Sequence, residues 1–254
     1  MLSVIVITKN EAHNIDRCLA SVDWAQEIIV VDSGSSDATL DIAKRYTNKI
    51  YTTDWQGYGV QKQRALALAT GDWVLNLDAD ESVDAVLKKE LQHAMMSNQA
   101  SAYRIPIQMH FYGKPLRFSA SPKRHVRLFK RLGAAYSNDV VHEKVLLPQD
   151  AKILKISKAI THHSFRDVSH MLYKLNKYSS YSAKTRLANG RLGGLMRVLL
   201  GMYWMFFRCY VLQGGFLDGR PGFLFAFFNA EGTFYRGIKQ LYPDEAPFLD
   251  EQSS

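Results

Sequence analysis

Through the first hundred residues, short apolar runs alternate with segments patterned as helices, and no other feature constrains the fold as tightly. Leu2–Thr8, Glu27–Asp32, residues 49–52 and Trp73–Asp78 are brief and rich in Val, Ile, Leu or Thr, as buried strands are. The intervening residues 12–22, 37–46 and 58–69 predict helices. Strands that alternate with helices form right-handed βαβ units, and so an α/β fold with a mainly parallel sheet covered on both faces. Such sheets bind ligands beyond the carboxyl ends of their strands. A further helix is expected over residues 84–96, then a strand over Ala102–Phe111 and a turn at Gly113-Lys114-Pro115.

Three of the predicted strand ends carry polar clusters: Thr8-Lys9-Asn10-Glu11, Asp32-Ser33-Gly34-Ser35-Ser36-Asp37 and Asp78-Ala79-Asp80-Glu81. On an extended backbone residues i and i+2 point the same way, so Asp78 and Asp80 can face one site. Adjacent carboxylates repel unless a cation lies beside them, and a hard divalent ion accepts carboxylate together with phosphate oxygens. The competing role is an acidic turn capping the helix that begins near Asp84. In the second cluster Ser35 or Ser36 can cap the next helix, and Gly34 allows a tight turn. Neither role explains Asp32, whose carboxylate can accept an N–H from a bound base. Glu11 can line a site or start the first helix. Lys62 and Arg64 can reach a phosphate or lie solvated on a helix face.

The 254 residues suffice for one large domain with a modest appendage, burying roughly 73% of the unfolded surface. The net charge of +8 is unevenly divided: residues 1–100 carry 9 basic and 14 acidic side chains, and residues 101–254 carry 23 and 10. An anionic partner is therefore expected to meet the second part. Cys18 and Cys209 form no CxxC pair and have no nearby histidine at ligand spacing, so neither a disulfide framework nor a zinc site is indicated, and a reducing cytosol fits. The amino-terminal apolar run is too short for a signal peptide and reads as a strand.

The segments Ser3-Val4-Ile5-Val6-Ile7-Thr8-Lys9-Asn10-Glu11, Val30-Val31-Asp32-Ser33-Gly34-Ser35-Ser36-Asp37-Ala38-Thr39 and Gly71-Asp72-Trp73-Val74-Leu75-Asn76-Leu77-Asp78-Ala79-Asp80-Glu81 resemble, in order and spacing, the family-2 glycosyltransferases with the GT-A fold. Within that family, Val140-Val141-His142-Glu143 and the C-terminal half are similar to the bacterial β-1,4-glucosyltransferase-like group that decorates the lipopolysaccharide inner core. The resemblance implies an inverting transferase using a nucleotide sugar and Mg²⁺ or Mn²⁺. It implies that Thr8 and Glu11 line the nucleotide pocket, Asp32 contacts uracil, Asp78 approaches the ribose or metal shell, and Asp80 binds the metal. Family members often have Lys-Asn where this chain has Lys62-Gln63, and Lys62 counts as a donor-binding candidate. Inversion needs a base for the acceptor hydroxyl, and Glu143 is the candidate. The competing role for His142 and Glu143 is as surface neighbours at a strand edge; His142 can also ligate the metal or be structural, and His162-His163 reads as structural or acceptor-binding.

The second half is basic and aromatic. Within Leu195–Leu212 the longest uncharged stretch is residues 198–207, ten residues where a span needs roughly 20. Arg197, Gly201, Trp204 and Arg208 share one helical stripe, which suits either a membrane surface or a helix buried on the core. The aromatic run Gly222-Phe223-Leu224-Phe225-Ala226-Phe227-Phe228 favours the membrane. The basic residues 114–131 and 166–191 suit anionic lipid or a phosphorylated acceptor. No nucleic-acid-binding signature accompanies the charge. The expectation is thus a GT-A domain over residues 1–160 and a helical membrane-associating and acceptor region over 161–254, peripheral on the inner face of the cytoplasmic membrane. The expected reaction moves a hexose, glucose from UDP-glucose, onto a lipid-linked saccharide, a heptose of the lipopolysaccharide core. The alternatives are a polyprenyl-phosphate or capsular acceptor, or a non-catalytic nucleotide-sugar-binding protein.

Overall fold

A computed structural model describes residues 1–111, 113–120, 122–137, 143–163, 167–188 and 194–243. The chain divides into two compact units, Met1–Met109 with Pro122–His163, and His110–Ser121 with Ser164–Ser254.

The first unit begins with β1 (Leu2–Thr8), α1 (Ile15–Ala20), β2 (Glu27–Asp32), α2 (Thr39–Ala43), β3 (Ile50–Thr52), α3 (Tyr58–Leu68) and β4 (Trp73–Asp78). These four strands are parallel in the order β3-β2-β1-β4. The helices α1 and α2 are shorter than their patterns because the flanking residues are tied into loops. Glu11 N donates to Thr39 Oγ1 at 2.8 Å and Ala12 N to Asp37 Oδ2 at 3.2 Å. Beyond β4 the chain adds β5 (Glu81–Ser82), α4 (Ala85–Ser97) and β6 (Ala102–Phe111), whose last two residues belong to the second unit and pair there with β7 (Lys114–Pro115) around Gly113. The strands β8 (Lys123–Lys130), β9 (Ala135–Tyr136), β10 (Val145–Leu146), β11 (Ile153–Lys155) and β12 (Ile160–His163) follow. The antiparallel β4–β8 pairing makes the sheet mixed, and it continues β8-β6-β12-β5.

Alternate residues of β1 enter opposite cores, as a doubly covered sheet requires. Leu2, Val4 and Val6 pack with Ile15, Leu19, Leu87 and Leu91 from α1 and α4. Ile5 and Ile7 pack with Ala65 and Leu66 of α3. At the amino-terminal edge a buried carboxylate, Glu27, ties three segments together. It accepts from Ser3 Oγ, from Thr70 N at 2.8 Å and Oγ1 at 2.9 Å, and from Lys49 Nζ at 2.5 Å. Gly71 N donates to Ser3 Oγ in turn, and a Cβ at Gly71 would lie 2.6 Å from that oxygen, so the close approach requires glycine. Burial pushes the Glu27 carboxyl up, but the bonds from Lys49, Ser3 and Thr70 outweigh it and hold the carboxyl at about 2 against an ordinary 4.5. Its stabilisation is therefore complete above pH 4.5 and lost as pH falls toward 2. Glu27→Gln is expected to lower the unfolding free energy by about 3 kcal/mol at pH 7. In urea titrations the gap between variant and parent should close between pH 5 and pH 2, and a gap that ignores pH would refute the assignment.

In the second unit α5 (Val168–Ala188) and α6 (Leu195–Phe207) both pack on α7 (Gly219–Leu241). The α6–α7 approach is close, since a Cβ at Gly237 would lie 2.5 Å from Val198. Lys239 Nζ of α7 donates to Ser179 and Ser180 of α5. Asp218, just before α7, accepts from the backbone N–H groups of Arg117, Phe118 and Ser119. A single π-helical turn over Arg208–Leu212 prolongs α6, and Leu195–Leu212 is, among the described residues, the one helical segment long and apolar enough to cross a membrane.

Candidate active site

The three polar clusters converge because the strands that end in them are neighbours. Thr8 is the register partner of Asp32 on one side, and Ile7 is the partner of Asp78 on the other. The loops after β1 and β2 are knotted together: Asn10 N donates to Ser35 Oγ and Ser36 N to Asn10 Oδ1, both at 2.8 Å. Asn10 adopts a left-handed conformation, φ 55°, which asparagine tolerates. Asp32 is fully buried and accepts from Gly34 N and Ser35 N at 2.8 Å, and from Ser35 Oγ. The serines therefore serve Asp32 and Asn10 and not the cap of α2, where Asp37 accepts from Thr39 N at 3.0 Å. The Thr8 hydroxyl is buried without a hydrogen-bond partner. Glu11 accepts from Asn14 Nδ2 at 2.7 Å in the turn leading to α1.

At the end of β4 the carboxylates do not cap the following helix. Asp84 does so itself, accepting from Val86 N at 3.0 Å and Leu87 N at 2.7 Å. Asp78 instead lies between two buried cations, 2.8 Å from Arg127 Nη2 and 3.0 Å from Lys62 Nζ. Arg127 also reaches Glu81 at 2.7 Å, and Glu81 accepts from Asp78 N at 2.9 Å. Two carboxylates thus share one guanidinium, and their exposure separates them: the side chain of Asp78 is 36% exposed and that of Glu81 1%. Burial pushes both up. At Asp78 the charges of Arg127 and Lys62 outweigh it and hold the carboxyl far below the usual range, whereas at Glu81 it prevails over Arg127 and the carboxyl is pushed up to about 7.

Asp80 is fixed from the far side of the sheet. The pairing of β12 with β5 sets His163 N on Asp80 O at 2.9 Å and His162 Nε2 3.0 Å from Asp80 Oδ2. Burial lowers the His162 imidazole, but the bond and charge of Asp80 outweigh it and the net shift is upward. His162 therefore contacts a site carboxylate, which its sequence context did not disclose. Glu143 arrives from the loop before β10 and lies 2.6 Å from Lys62 Nζ, so one buried ammonium joins Glu143 to Asp78. Of the expected members, Lys62 thus contacts both Asp78 and Glu143, with Asp80 two residues along from Asp78. Thr8 and Asp32 lie along the neighbouring strand ends, and Glu11 lies beyond them in the α1 turn. His142, Val140 and Val141 fall outside the described residues. Glu81 was expected only as part of the third cluster and Arg127 was not expected at the site; a run of alternating basic residues in β8 gives no sign that one of them is buried beside Asp78.

Residues 3–147 match the model of glycosyl transferase family 2. The chain is 32% identical to an uncharacterized glycosyltransferase of Rickettsia bellii over 250 residues, covering 94% of this chain and 85% of that one. The chain belongs to glycosyl transferase family 2. It is also 26% identical to the lipopolysaccharide core biosynthesis glycosyltransferase LpsC of Rhizobium meliloti, across 96% of this chain and 95% of the relative. Among solved structures it is similar to the mannosyltransferase PcManGT of Pyrobaculum calidifontis in complex with GDP-Man and Mn²⁺, with a TM-score of 0.51, 15% identity, and coverage of 96% of this chain and 88% of that one. The fold is the GT-A fold, and the chain is a glycosyltransferase.

Proposed function

We propose that this glycosyltransferase moves a hexose, glucose from UDP-glucose, with inversion onto a lipid-linked saccharide, a heptose of the lipopolysaccharide core. It would act peripherally at the inner face of the cytoplasmic membrane. The observation that carries the reaction is the contact of Asp78, Lys62 and Glu143 at the carboxyl end of β4, with Asp80 beside them. The acceptor class draws support from the likeness to LpsC over nearly the whole of both chains.

In this reading Thr8, Glu11 and Asp32 surround the nucleotide, with Asp32 toward the base. Lys62 holds one oxygen of Glu143, which fixes the carboxylate and leaves its other oxygen to accept a proton. Glu143 takes the proton of the acceptor hydroxyl as that oxygen bonds to the anomeric carbon, and the bond from that carbon to the diphosphate breaks on the opposite face. Asp80 and His162 fit a divalent cation, since one carboxylate and one imidazole leave room for diphosphate and water oxygens. No group of three or more protein ligands exists among the described residues, so a donor-free site would hold metal weakly. When bound, Mg²⁺ or Mn²⁺ supplies positive charge beside the departing diphosphate.

A panel of nucleotide sugars with and without Mn²⁺ tests this directly. UDP-glucose at a hundred times its Kd should raise the melting temperature by about 5 °C when Mn²⁺ is present, and by less without it. A larger shift with another nucleotide sugar would replace the donor, and no shift with any of them would overturn the donor pocket assigned to Thr8, Glu11 and Asp32.

A further inference from the structure

The second unit carries an apolar surface too large and too ordered to be incidental. Along α6 and its π-helical extension Met196, Leu200, Tyr203, Phe207 and Val211 are all exposed, Leu200 at 62% and Tyr203 at 66%. Their spacing of three and four residues aligns them in one stripe. The opposite face, around Val198 and Cys209, is the buried one. At about 100° per residue, Arg197, Trp204 and Arg208 fall roughly 60–100° to one side of the stripe's centre. Two cations and a tryptophan therefore line its flank.

The surface continues past the helix. Phe216, Leu217, Phe223, Leu224 and Phe227 are exposed in the turn before α7 and along that helix. Tyr210, Gly219, Arg220, Phe223 and Leu224 line an open apolar cavity of about 390 Å³, in which Arg220 is the one charged lining residue. Residues 168–188 and 194–243 together contain nine Lys and Arg against two acids, Asp218 and Glu231. Asp218 is occupied by the backbone of residues 117–119. Only 6% of Leu195–Leu212 is buried, so this is not the core helix of a folded unit. Contiguous exposed apolar surface rimmed by cations matches a bilayer whose headgroups are anionic.

We propose that α6 lies in the plane of an anionic bilayer, its Met196–Leu200–Tyr203–Phe207–Val211 stripe among the acyl chains and Arg197, Arg208 and Arg220 at headgroup level. A crossing orientation fits less well. Eighteen residues extend about 27 Å against a hydrocarbon thickness of about 30 Å. Arg208 would then stand inside the apolar layer, whereas in the plane it reaches phosphate without leaving the helix's flank. The docking surface deepens the transferase reading by bringing the enzyme to a lipid-linked acceptor, but its geometry does not depend on that chemistry.

Trp204 provides the test, because it lies near the middle of Leu195–Leu212 and is the only tryptophan in the second unit. The full chain should float with vesicles of equal phosphatidylglycerol and phosphatidylcholine, and at least fivefold less with phosphatidylcholine alone. The emission lost in Trp204→Phe should be quenched more by lipids brominated near the headgroup than by lipids brominated near the chain end. Stronger quenching from the chain end would establish a crossing helix and overturn the in-plane placement. Absence of flotation would overturn the bilayer altogether, and a concentration-dependent dimer broken by Leu200→Glu/Phe207→Glu would assign the face to a second copy. That double variant should lose at least tenfold in vesicle binding while its melting temperature stays that of the parent. Asp80→Asn should float as the parent does, so failed transfer and failed docking are read separately.

Discussion

Replacing Glu143 with glutamine is expected to lower kcat by about 10²–10⁴-fold while leaving donor binding nearly intact. The substitution keeps the side chain's shape and leaves an amide oxygen for Lys62, 2.6 Å from the present carboxylate. Lys62 also retains its second partner, Asp78 at 3.0 Å, so its buried ammonium is not abandoned. What is lost is proton affinity at the acceptor hydroxyl. Steady-state kinetics with saturating donor should show the loss in kcat, and calorimetry should show donor affinity within about threefold of the parent. A variant that turns over near the parental rate would place the base elsewhere. The contrast with Lys62→Met is informative: that change frees Glu143 and removes a counter-charge from Asp78, so it should disturb both kcat and donor affinity.

The sequence made the parallel half of the fold legible because three of its four strands, β1, β2 and β4, are buried runs closed by their own polar clusters. Three predicted strands, Leu2–Thr8, Glu27–Asp32 and Trp73–Asp78, have their expected bounds. The helices were less legible: α2 spans only Thr39–Ala43, because Asp37 and Thr39 are spent on the loop that joins the first two clusters. Within the site, Asp78 and Asp80 announced themselves through their position at a strand end. Their partners did not. Arg127 stands between an exposed His125 and a buried Phe129 on the same alternation, and only the β4–β8 pairing carries it under Asp78. His162 meets Asp80 through an antiparallel pairing that joins residues eighty apart, with no local signal. Glu143 entered through resemblance rather than through its own surroundings. Long-range pairing, not residue type, decided which charged groups belong to the site.

Removing Arg127 should produce the largest loss of stability. The side chain is buried and neutralises Asp78 at 2.8 Å and Glu81 at 2.7 Å, so Arg127→Met leaves two carboxylates in a poorly solvated place. Breaking a buried pair by deleting one partner costs about 3–5 kcal/mol, equivalent to roughly 10 °C in melting temperature for a chain of this size. Asp78 would keep Lys62, whereas Glu81, with its side chain 1% exposed, would keep the N–H of Asp78 at 2.9 Å and the more distant charge of His162. Most of the loss should therefore arise at Glu81. Adding Glu81→Gln to Arg127→Met removes a buried carboxyl that is already pushed up to about 7 and must take up a proton once the guanidinium is gone, while the amide oxygen can still accept from Asp78 N. The double variant should recover about 1–3 kcal/mol relative to Arg127→Met alone, measured by urea unfolding, whereas strictly additive losses would show that the two groups act independently. The same pair of variants separates support from chemistry. If Arg127 acts by holding the carboxylates in place, donor affinity should recover with stability in the double variant. If its charge also serves the bound diphosphate, stability should recover while donor affinity stays low.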